Sequence, residues 1–210
     1  MTSPERSTSS RLFLMRHGET EWSISGQHTS HTDLPLTEAG EEQARALGRA
    51  LSGHPFGLVL SSPRTRAART AELAGFGDVV QVDENLVEWD YGAYEGRTSA
   101  DIQAELGHAW SLWTDGVPAG DTPGESSSDV QRRVRAAIDR AQPELDAGRD
   151  VLMVAHSHLL RALTAVWLSL PASSGGLFSL STGTVSELGY EHGRPAVKRW
   201  NCPPAQLPEL

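Results

Sequence analysis

Three short apolar segments of this chain each end abruptly in polar, chemically reactive residues. They are 11–15 before Arg16-His17, 56–60 before Ser62, and 150–155 before His156. Short apolar runs bounded by polar loops are typical of buried strands in a parallel sheet. Because ligands of open α/β sheets bind beyond the carboxyl ends of the strands, the reactive residues are expected to converge on one site.

Helical patterns separate these strands. Thr37 is a predicted N-cap for a helix that extends to about residue 52, and Ser126 with Asp129 predicts a capping box for a helix to about residue 145. Ser62 is a predicted N-cap for a further helix with Pro63 in its first turn, and another helix follows His156. Strands that alternate with helices predict a three-layer α/β/α fold, with a mostly parallel central sheet and helices on both faces.

The domain organisation follows from breaks in these patterns. Residues 1–10 are polar and predicted to form a disordered leader, and 11–200 is predicted to form one domain. Within it, 97–124 combines two short helical patterns with a Gly/Pro-rich stretch and is interpreted as an inserted cap. Two antiparallel strands are expected within 177–200, and 201–210 is predicted to be a Pro-rich tail.

Composition narrows the class of function. The net charge of -9 opposes a nucleic-acid backbone, and no run of basic residues overrides it locally. The polar N-terminus lacks the apolar centre of a secretory signal, and no apolar run reaches membrane-spanning length. The single Cys202 cannot form an intrachain disulfide. We therefore expect a cytoplasmic protein without membrane or nucleic-acid partners, whose anionic substrate is held by a few arginines.

The residues at the strand ends have the chemistry that phosphoryl transfer requires. Arg16 and Arg66 can stabilise charge on the equatorial oxygens, and a second histidine, His156, can assist them. A neutral imidazole such as His17 can act as the nucleophile. A carboxyl such as Glu88 can protonate the leaving oxygen and then deprotonate the attacking water.

These residues belong to a set of motifs that resembles the histidine phosphatase superfamily, also called phosphoglycerate mutase-like. The segment from Leu14 to Trp22 contains its R-H-G-E-[ST] signature. Further matching blocks follow in family order at 36–44, 61–71, 88–96, 124–126 and 154–162. The resemblance covers nearly the whole chain after residue 11.

The resemblance implies a role for each matching residue. It implies that His17 is the phosphorylated nucleophile and Glu88 the proton donor. It also implies that Arg16, Arg66 and His156 hold the transferring phosphoryl group, and it implies no metal and no other cofactor.

Within the superfamily, the loops are most similar to the sedoheptulose-bisphosphatase-like branch and to related bacterial acid phosphatases, which implies a phosphosugar substrate. The substrate-binding residues implied by position are Ser23, Gln27, His28, Thr29, Tyr91 and Ser157. The chain departs from the family pattern at two of them. Ser23 stands where many members have an asparagine, and Ser157 replaces a frequent glycine.

Several alternatives stay open at this stage. His28 and His31 are a conceivable metal pair without a third ligand, and His158 is either close to the site or a surface residue. A cofactor-dependent phosphoglycerate mutase is the second enzymatic hypothesis, although 97–124 contains only Arg97 as a cation. A non-catalytic module that binds phosphorylated ligands or a protein is the alternative of another class. A homodimer formed through the last strands is possible.

Overall fold

A computed structural model describes residues 10–207 and contains a six-stranded sheet. The strands are β1 (Leu12–Arg16), β2 (Phe56–Ser61), β3 (Val80–Val82), β4 (Asp150–Ala155), β5 (Val185–Glu191) and β6 (Arg194–Cys202). Their order across the sheet is β3-β2-β4-β1-β5-β6. The pairs β2–β3, β2–β4 and β1–β4 are parallel, whereas β1–β5 and β5–β6 are antiparallel.

Helices cover both faces of this sheet. They are α1 (Glu21–Ser25), α2 (Glu38–Ala50), α3 (Thr65–Ala71), α4 (Ser99–Leu106), α5 (Leu112–Asp115), α6 (Ser127–Asp146) and α7 (Ser157–Trp167). A π-helical turn, Glu72–Phe76, extends α3, and 3-10 turns lie at Glu84–Leu86, Gly92–Tyr94, Ala172–Leu177 and Pro204–Gln206. None of the helices described between residues 10 and 207 is long and apolar enough to cross a membrane.

Alternation of side chains along the central strands divides the core into two layers. Leu12 and Leu14 of β1 pack into one cluster with residues of α6 and α7, whereas Phe13 and Met15 pack into the other with residues of α2 and α3. All four side chains are fully buried. Burial of each apolar side chain of this size contributes about 1.5–3 kcal/mol, so both faces of β1 hold helices against the sheet. The three-layer α/β/α prediction is confirmed.

Local structure differs from the sequence interpretation at two loops. The segment after the R-H-G motif contains the short helix α1, which begins with a capping box between Thr20 and Ser23 and ends at Gly26 in the left-handed conformation. Five residues are too few to show helical periodicity. Ser62 is not the N-cap of helix α3. The N-cap is Arg64, and its side chain makes no capping hydrogen bond.

Ordered structure extends slightly beyond the predicted domain, 11–200, at both ends. Residues 1–9 of the predicted leader and 208–210 of the predicted tail lie outside the described residues. Ser10, at the end of the predicted leader, is buried and its hydroxyl donates to the Leu145 carbonyl at 2.7 Å. Strand β6 extends to Cys202, two residues into the predicted tail. The predicted cap contributes Ile102 and Leu112 to the core beside α6 and α7.

The strand order places the three reactive segments side by side. Strands β2, β4 and β1 are adjacent and parallel, so their carboxyl ends meet at one edge of the sheet. His17 follows β1, Ser62 follows β2 and His156 follows β4. The topology therefore brings together residues that are far apart in the sequence. At the other end of β1 and β4, for example, the Arg11 N–H donates to the Asp150 carboxylate across 139 positions.

Candidate active site

A cavity of about 270 Å³ opens beyond the carboxyl ends of β1 and β4. Its lining residues are Arg16, His17, Thr20, Trp22, Ser23, Gly26, Gln27, His28, Thr29, Glu88, Tyr91, Ser99, Ser157 and His158. Nine of the eleven site residues predicted from the sequence are in this lining. The other two, Arg66 and His156, are buried and lie outside it. A cavity of this volume suits a small metabolite.

His17 is held in one tautomer by its own backbone. Its Nδ1 lies 2.7 Å from the Gly18 carbonyl oxygen, and a carbonyl oxygen can only accept, so Nδ1 carries the proton. Nε2 therefore keeps a free lone pair. Burial lowers the pKa of His17 well below its ordinary value, and the charges of Arg16 and Arg66 lower it further. The imidazole is neutral at physiological pH, which is the form a nucleophile requires.

The glycine after His17 allows the loop to approach a helix closely. A Cβ atom on Gly18 would lie 2.2 Å from the carbonyl oxygen of Gly40 in α2. The Gly18 N–H donates to the Thr70 hydroxyl of α3 at 3.0 Å. Together these contacts fix the direction of the chain after His17, so the glycine of the R-H-G motif has a packing reason.

Arg16 lines the cavity and has a buried donor without a partner among the described residues. Its Nη1 donates to the Leu180 carbonyl oxygen, whereas its buried Nε has no hydrogen-bond partner in the described part of the chain. Burial lowers the pKa of Arg16 to about 10, which leaves the guanidinium charged at neutral pH. A buried, charged donor without a partner is costly, and an anionic ligand oxygen would satisfy it.

Arg66 and His156 form a buried layer behind His17. Arg66 Nε can only donate, so the Nδ1 of His156, 3.2 Å away, accepts, and His156 Nε2–H donates to the Ser62 hydroxyl at 2.8 Å. The two Nη atoms of Arg66 donate to carbonyl oxygens of Thr29, Ser30 and Thr32. Burial lowers the pKa of His156 well below its ordinary value, with Arg66 the next cause. Both residues brace the site here, and their direct contact with phosphate stays a prediction.

Glu88 is fixed at the amino end of α7. One carboxylate oxygen accepts from the backbone N–H groups of Trp89 and Leu159, both at 2.9 Å, and the other accepts from His158 N–H at 3.0 Å. Backbone donors and the helix dipole at this end both stabilise a negative charge. The side chain is buried but belongs to the cavity lining, so its carboxyl group can reach a ligand there.

An ion pair between Arg133 and Glu125 braces the loop that carries Glu88. Arg133 of α6 contacts both carboxylate oxygens of Glu125, at 2.6 and 2.7 Å. The same guanidinium donates to the carbonyl oxygens of Asn85 and Val87 at 2.9 and 3.0 Å. Glu125 is part of a family block in the sequence, but its pairing with Arg133, eight positions away, was not predicted. Neither was the contact of Arg133 with Asn85, 48 positions away.

Three neutral aromatic side chains form part of the cavity wall. The hydroxyl of Tyr91 lies 2.7 Å from Nδ1 of His158, and the ring of His28 lies 4.7 Å from that of Tyr91. Burial raises the pKa of Tyr91 well above its ordinary value, and it lowers the pKa of His158 well below its own. Burial also lowers the pKa of His28 to about 4. His158, whose position the sequence left open, is thus a wall residue of the cavity.

Several polar side chains that were predicted to bind substrate form hydrogen bonds within the protein. The Ser23 hydroxyl donates to the Thr20 carbonyl at 2.8 Å and accepts from Thr20 N–H at 2.9 Å, because it completes the N-cap of α1. Gln27 donates from Nε2 to the Gly96 carbonyl at 2.7 Å. Thr29 donates to the Gln27 carbonyl at 3.1 Å. Ser157 lines the cavity as the first residue of α7.

His28 and His31, the conceivable metal pair, have different partners in the structure. His31 lies with Nδ1 3.1 Å from Arg64 Nη2 and with Nε2 3.4 Å from an Asp90 carboxylate oxygen. His28 instead stacks on Tyr91 inside the cavity. Between residues 10 and 207, no three His, Cys, Asp or Glu side chains are grouped so that they could hold a metal ion.

The buried imidazoles make stability depend on pH. His17, His156, His158 and His28 all have lowered pKa values in the folded protein, so between those values and about 6.5 the unfolded chain binds more protons. We expect the free energy of unfolding to fall as pH decreases below about 6.5, by up to ~1.4 kcal/mol per pH unit for each histidine.

Urea denaturation between pH 7.5 and 5 in phosphate-free buffers measures this slope. The His28→Gln variant removes one of the titrating groups and should show a shallower slope, whatever its absolute stability. Equal slopes for the wild type and this variant would contradict the assignment of His28 as a buried neutral group.

Comparison with known proteins agrees with the geometry of the site. A family model, the histidine phosphatase superfamily (branch 1), matches residues 12–203. An acid phosphatase of Mycobacterium tuberculosis is 42% identical over 87% of this chain and 88% of its own length. The sedoheptulose 1,7-bisphosphatase of Saccharomyces cerevisiae is 33% identical over 76% of this chain and 68% of its own. The chain belongs to the histidine phosphatase superfamily.

Solved structures support the same assignment. A mycobacterial glucosyl-3-phosphoglycerate phosphatase, solved in complex with VO3, superposes with a TM-score of 0.79 at 33% identity, over 92% of this chain and 99% of that one. Proteins named as phosphoglycerate mutases are also among the relatives. The chain is a phosphoric monoester hydrolase of the histidine phosphatase type.

Proposed function

We propose that this protein is a metal-independent phosphatase that hydrolyses a small phosphosugar through a phosphohistidine intermediate on His17. The observation that carries the proposal is the pairing of two groups at one end of the cavity. His17 has a neutral imidazole with Nε2 free, and Arg16 has a charged donor without a partner. One group suits attack on phosphorus and the other suits binding of a phosphate oxygen.

In the first step, Nε2 of His17 attacks phosphorus in line with the ester bond. A P–N bond forms, the P–O bond to the sugar breaks, and Glu88 donates a proton to the leaving oxygen. Three backbone N–H bonds fix the position of the Glu88 side chain for this transfer. The products of the step are the free sugar and phosphohistidine.

In the second step, water replaces the sugar. Glu88, now a carboxylate, removes a proton from water as the oxygen attacks phosphorus, and the P–N bond breaks with its electrons returning to Nε2 of His17. Inorganic phosphate leaves and His17 returns to its neutral form. The charges of Arg16 and of the buried Arg66 stabilise the transferring group during both steps, and His156 helps to hold Arg66 in place.

The mutase alternative requires more positive charge than this cavity offers. A mutase must hold a second anionic group of its ligand and shelter phosphohistidine from water. In the cap segment 97–124 the sole cation, Arg97, already pairs with Glu105 at 2.6 Å. Hydrolysis is therefore favoured over transfer back to the ligand.

The non-catalytic alternative has less support. A module that only binds phosphate does not need a nucleophile, a proton donor and a charged arginine around one cavity, and His17, Glu88 and Arg16 all line it. The phosphosugar class is supported by the names of two similar proteins, a sedoheptulose 1,7-bisphosphatase and a glucosyl-3-phosphoglycerate phosphatase. The cytoplasmic location and the homodimer remain proposals that rest on the sequence alone.

Phosphate release from p-nitrophenyl phosphate and from a panel of sugar phosphates tests the proposed function. The enzyme is dialysed against EDTA and assayed with the chelator present. We expect turnover within about twofold of the untreated enzyme, because the charge stabilisation comes from arginine and histidine. Loss of turnover with EDTA that Mg²⁺ or Zn²⁺ restores would contradict metal independence, and no turnover of any ester would favour the binding module.

A further inference from the structure

The cavity has one cation and one anion in its wall. Of the lining residues, which all belong to the described part of the chain, Arg16 alone is arginine or lysine, and Glu88 alone is acidic. Both stand at the end where His17 would attack phosphorus. The charge of Arg16 is therefore needed for the transferring phosphate, and no lysine or arginine in the lining is left for a second anionic group.

The arginines around this cavity are used elsewhere. Arg66 donates to His156 and to three loop carbonyls. Arg161 stacks on Trp113 at 4.7 Å and donates to the Gly175 carbonyl at 3.2 Å. Arg64, which is outside the lining, donates to His31 at 3.1 Å. The buried Nε of Arg64 has no partner among the described residues, but none of these three guanidinium groups belongs to the cavity lining.

The helix that reaches the cavity mouth also offers no positive charge. Helix α4 begins at Ser99, which lines the cavity, and a helix start ordinarily attracts anions. Here Asp101 sits in the first turn and its carboxylate accepts from Thr98 Oγ1 at 2.7 Å, in a reciprocal capping box. The carboxylate offsets the partial charge of the helix start.

The remaining wall is built from rings and neutral polar groups. Trp22, His28, Tyr91 and His158 provide aromatic surface, and Ser99 provides a hydroxyl group. The lowered pKa values of the two imidazoles keep them uncharged at neutral pH. Flat rings combined with neutral hydrogen-bonding groups suit a carbon skeleton rich in hydroxyl groups, and they provide nothing to neutralise a carboxylate or a second phosphate.

We infer that the substrate has one anionic group, the phosphate that is removed, and that its leaving group is an uncharged sugar or polyol. This inference rests on the proposed function and narrows it. A bisphosphate or a phosphoglycerate would have to bury a second charge against neutral walls, and an unpaired charge away from water is costly.

Two matched pairs of substrates test this inference directly. Fructose 6-phosphate is compared with fructose 1,6-bisphosphate, and glycerol 3-phosphate with 3-phosphoglycerate, with p-nitrophenyl phosphate as the reference. We expect kcat/KM to be at least about tenfold higher for the member with one anionic group in both pairs, the ratio that ~1.4 kcal/mol of differential binding gives. Equal or higher values for the doubly charged members, with normal turnover of the reference, would overturn the inference but not the phosphatase.

A designed cation provides the second test. Ser99→Lys places a positive charge at the cavity wall, and Ala100→Lys adds the same charge at the next exposed position, which is not a lining residue. Ser99→Lys should reduce the preference for singly charged substrates at least fivefold, whereas Ala100→Lys should leave it near the wild-type value. The same ratio in both variants would overturn the explanation by wall charge. Failure of every ester, the reference included, would overturn the proposed function together with this inference.

Discussion

Replacement of His17 is expected to lower kcat for every phosphate ester by about 10⁴-fold or more, because loss of a catalytic nucleophile has effects of this size or larger. The structure leaves no substitute in reach with the same chemistry. His156 has Nδ1 and Nε2 engaged with Arg66 and Ser62, and His158 shares its Nδ1 with Tyr91. The measurement is steady-state release of p-nitrophenol by purified variants.

Two variants separate chemistry from structure in this experiment. His17→Ala removes the whole ring, whereas His17→Asn retains an N–H donor of similar length that can reach the Gly18 carbonyl oxygen, the present partner of Nδ1. Both should be equally inactive, although the asparagine variant should be closer to the wild type in stability. His31→Ala, at a half-exposed position beside Arg64, is the matched control and should retain turnover. Activity above about one per cent in both His17 variants would contradict the role of His17.

Glu88→Gln is expected to separate the two chemical steps. Proton transfer by a positioned carboxyl accounts for about 10²–10⁴-fold in rate, so hydrolysis of sugar phosphates should fall by that factor. p-Nitrophenol leaves without a proton donor, so the first step on the aryl ester should persist. The second step still requires activation of water. The variant should therefore release a burst of p-nitrophenol equal to the enzyme concentration, followed by slow turnover.

The choice of glutamine follows from the hydrogen bonds of Glu88. Its Oε1 accepts two of the three backbone N–H bonds, which an amide oxygen can also accept, whereas alanine would leave all three donors unpaired. Stopped-flow absorbance measures the burst. A variant that loses rate equally on aryl and sugar esters, without a burst, would contradict the assignment of Glu88 to both proton transfers.

The sequence was sufficient to predict the parts of the fold that repeat a regular pattern. The apolar runs of β1, β2 and β4 alternate with helices, and the strand order confirms that their carboxyl ends meet. The capping box at Ser126 was also predicted, because its residues are three positions apart and both bonds are local. Local chemistry of this kind is visible in a sequence.

Features that depend on partners far away in the sequence could not be predicted from the sequence. Ser62 resembled a helix N-cap, but its hydroxyl accepts from His156, 94 positions away. The role of Arg66 at the phosphate stays a prediction, but its hydrogen bonds to the loop 29–32 and to His156 were not predicted. The wall charge of the cavity also depends on which arginines are engaged elsewhere, and only the folded chain shows that.

The central claim is that the phosphoryl group resides on His17 during turnover. Rapid mixing with p-nitrophenyl phosphate, followed by an alkaline quench and mass spectrometry of the intact chain and its peptides, tests it most directly. The account predicts a protein heavier by one phosphoryl group, which is stable in alkali, labile in acid and located on the peptide that contains His17. Continued turnover with no phosphorylated protein at any time, or with the group on a different residue, would contradict it.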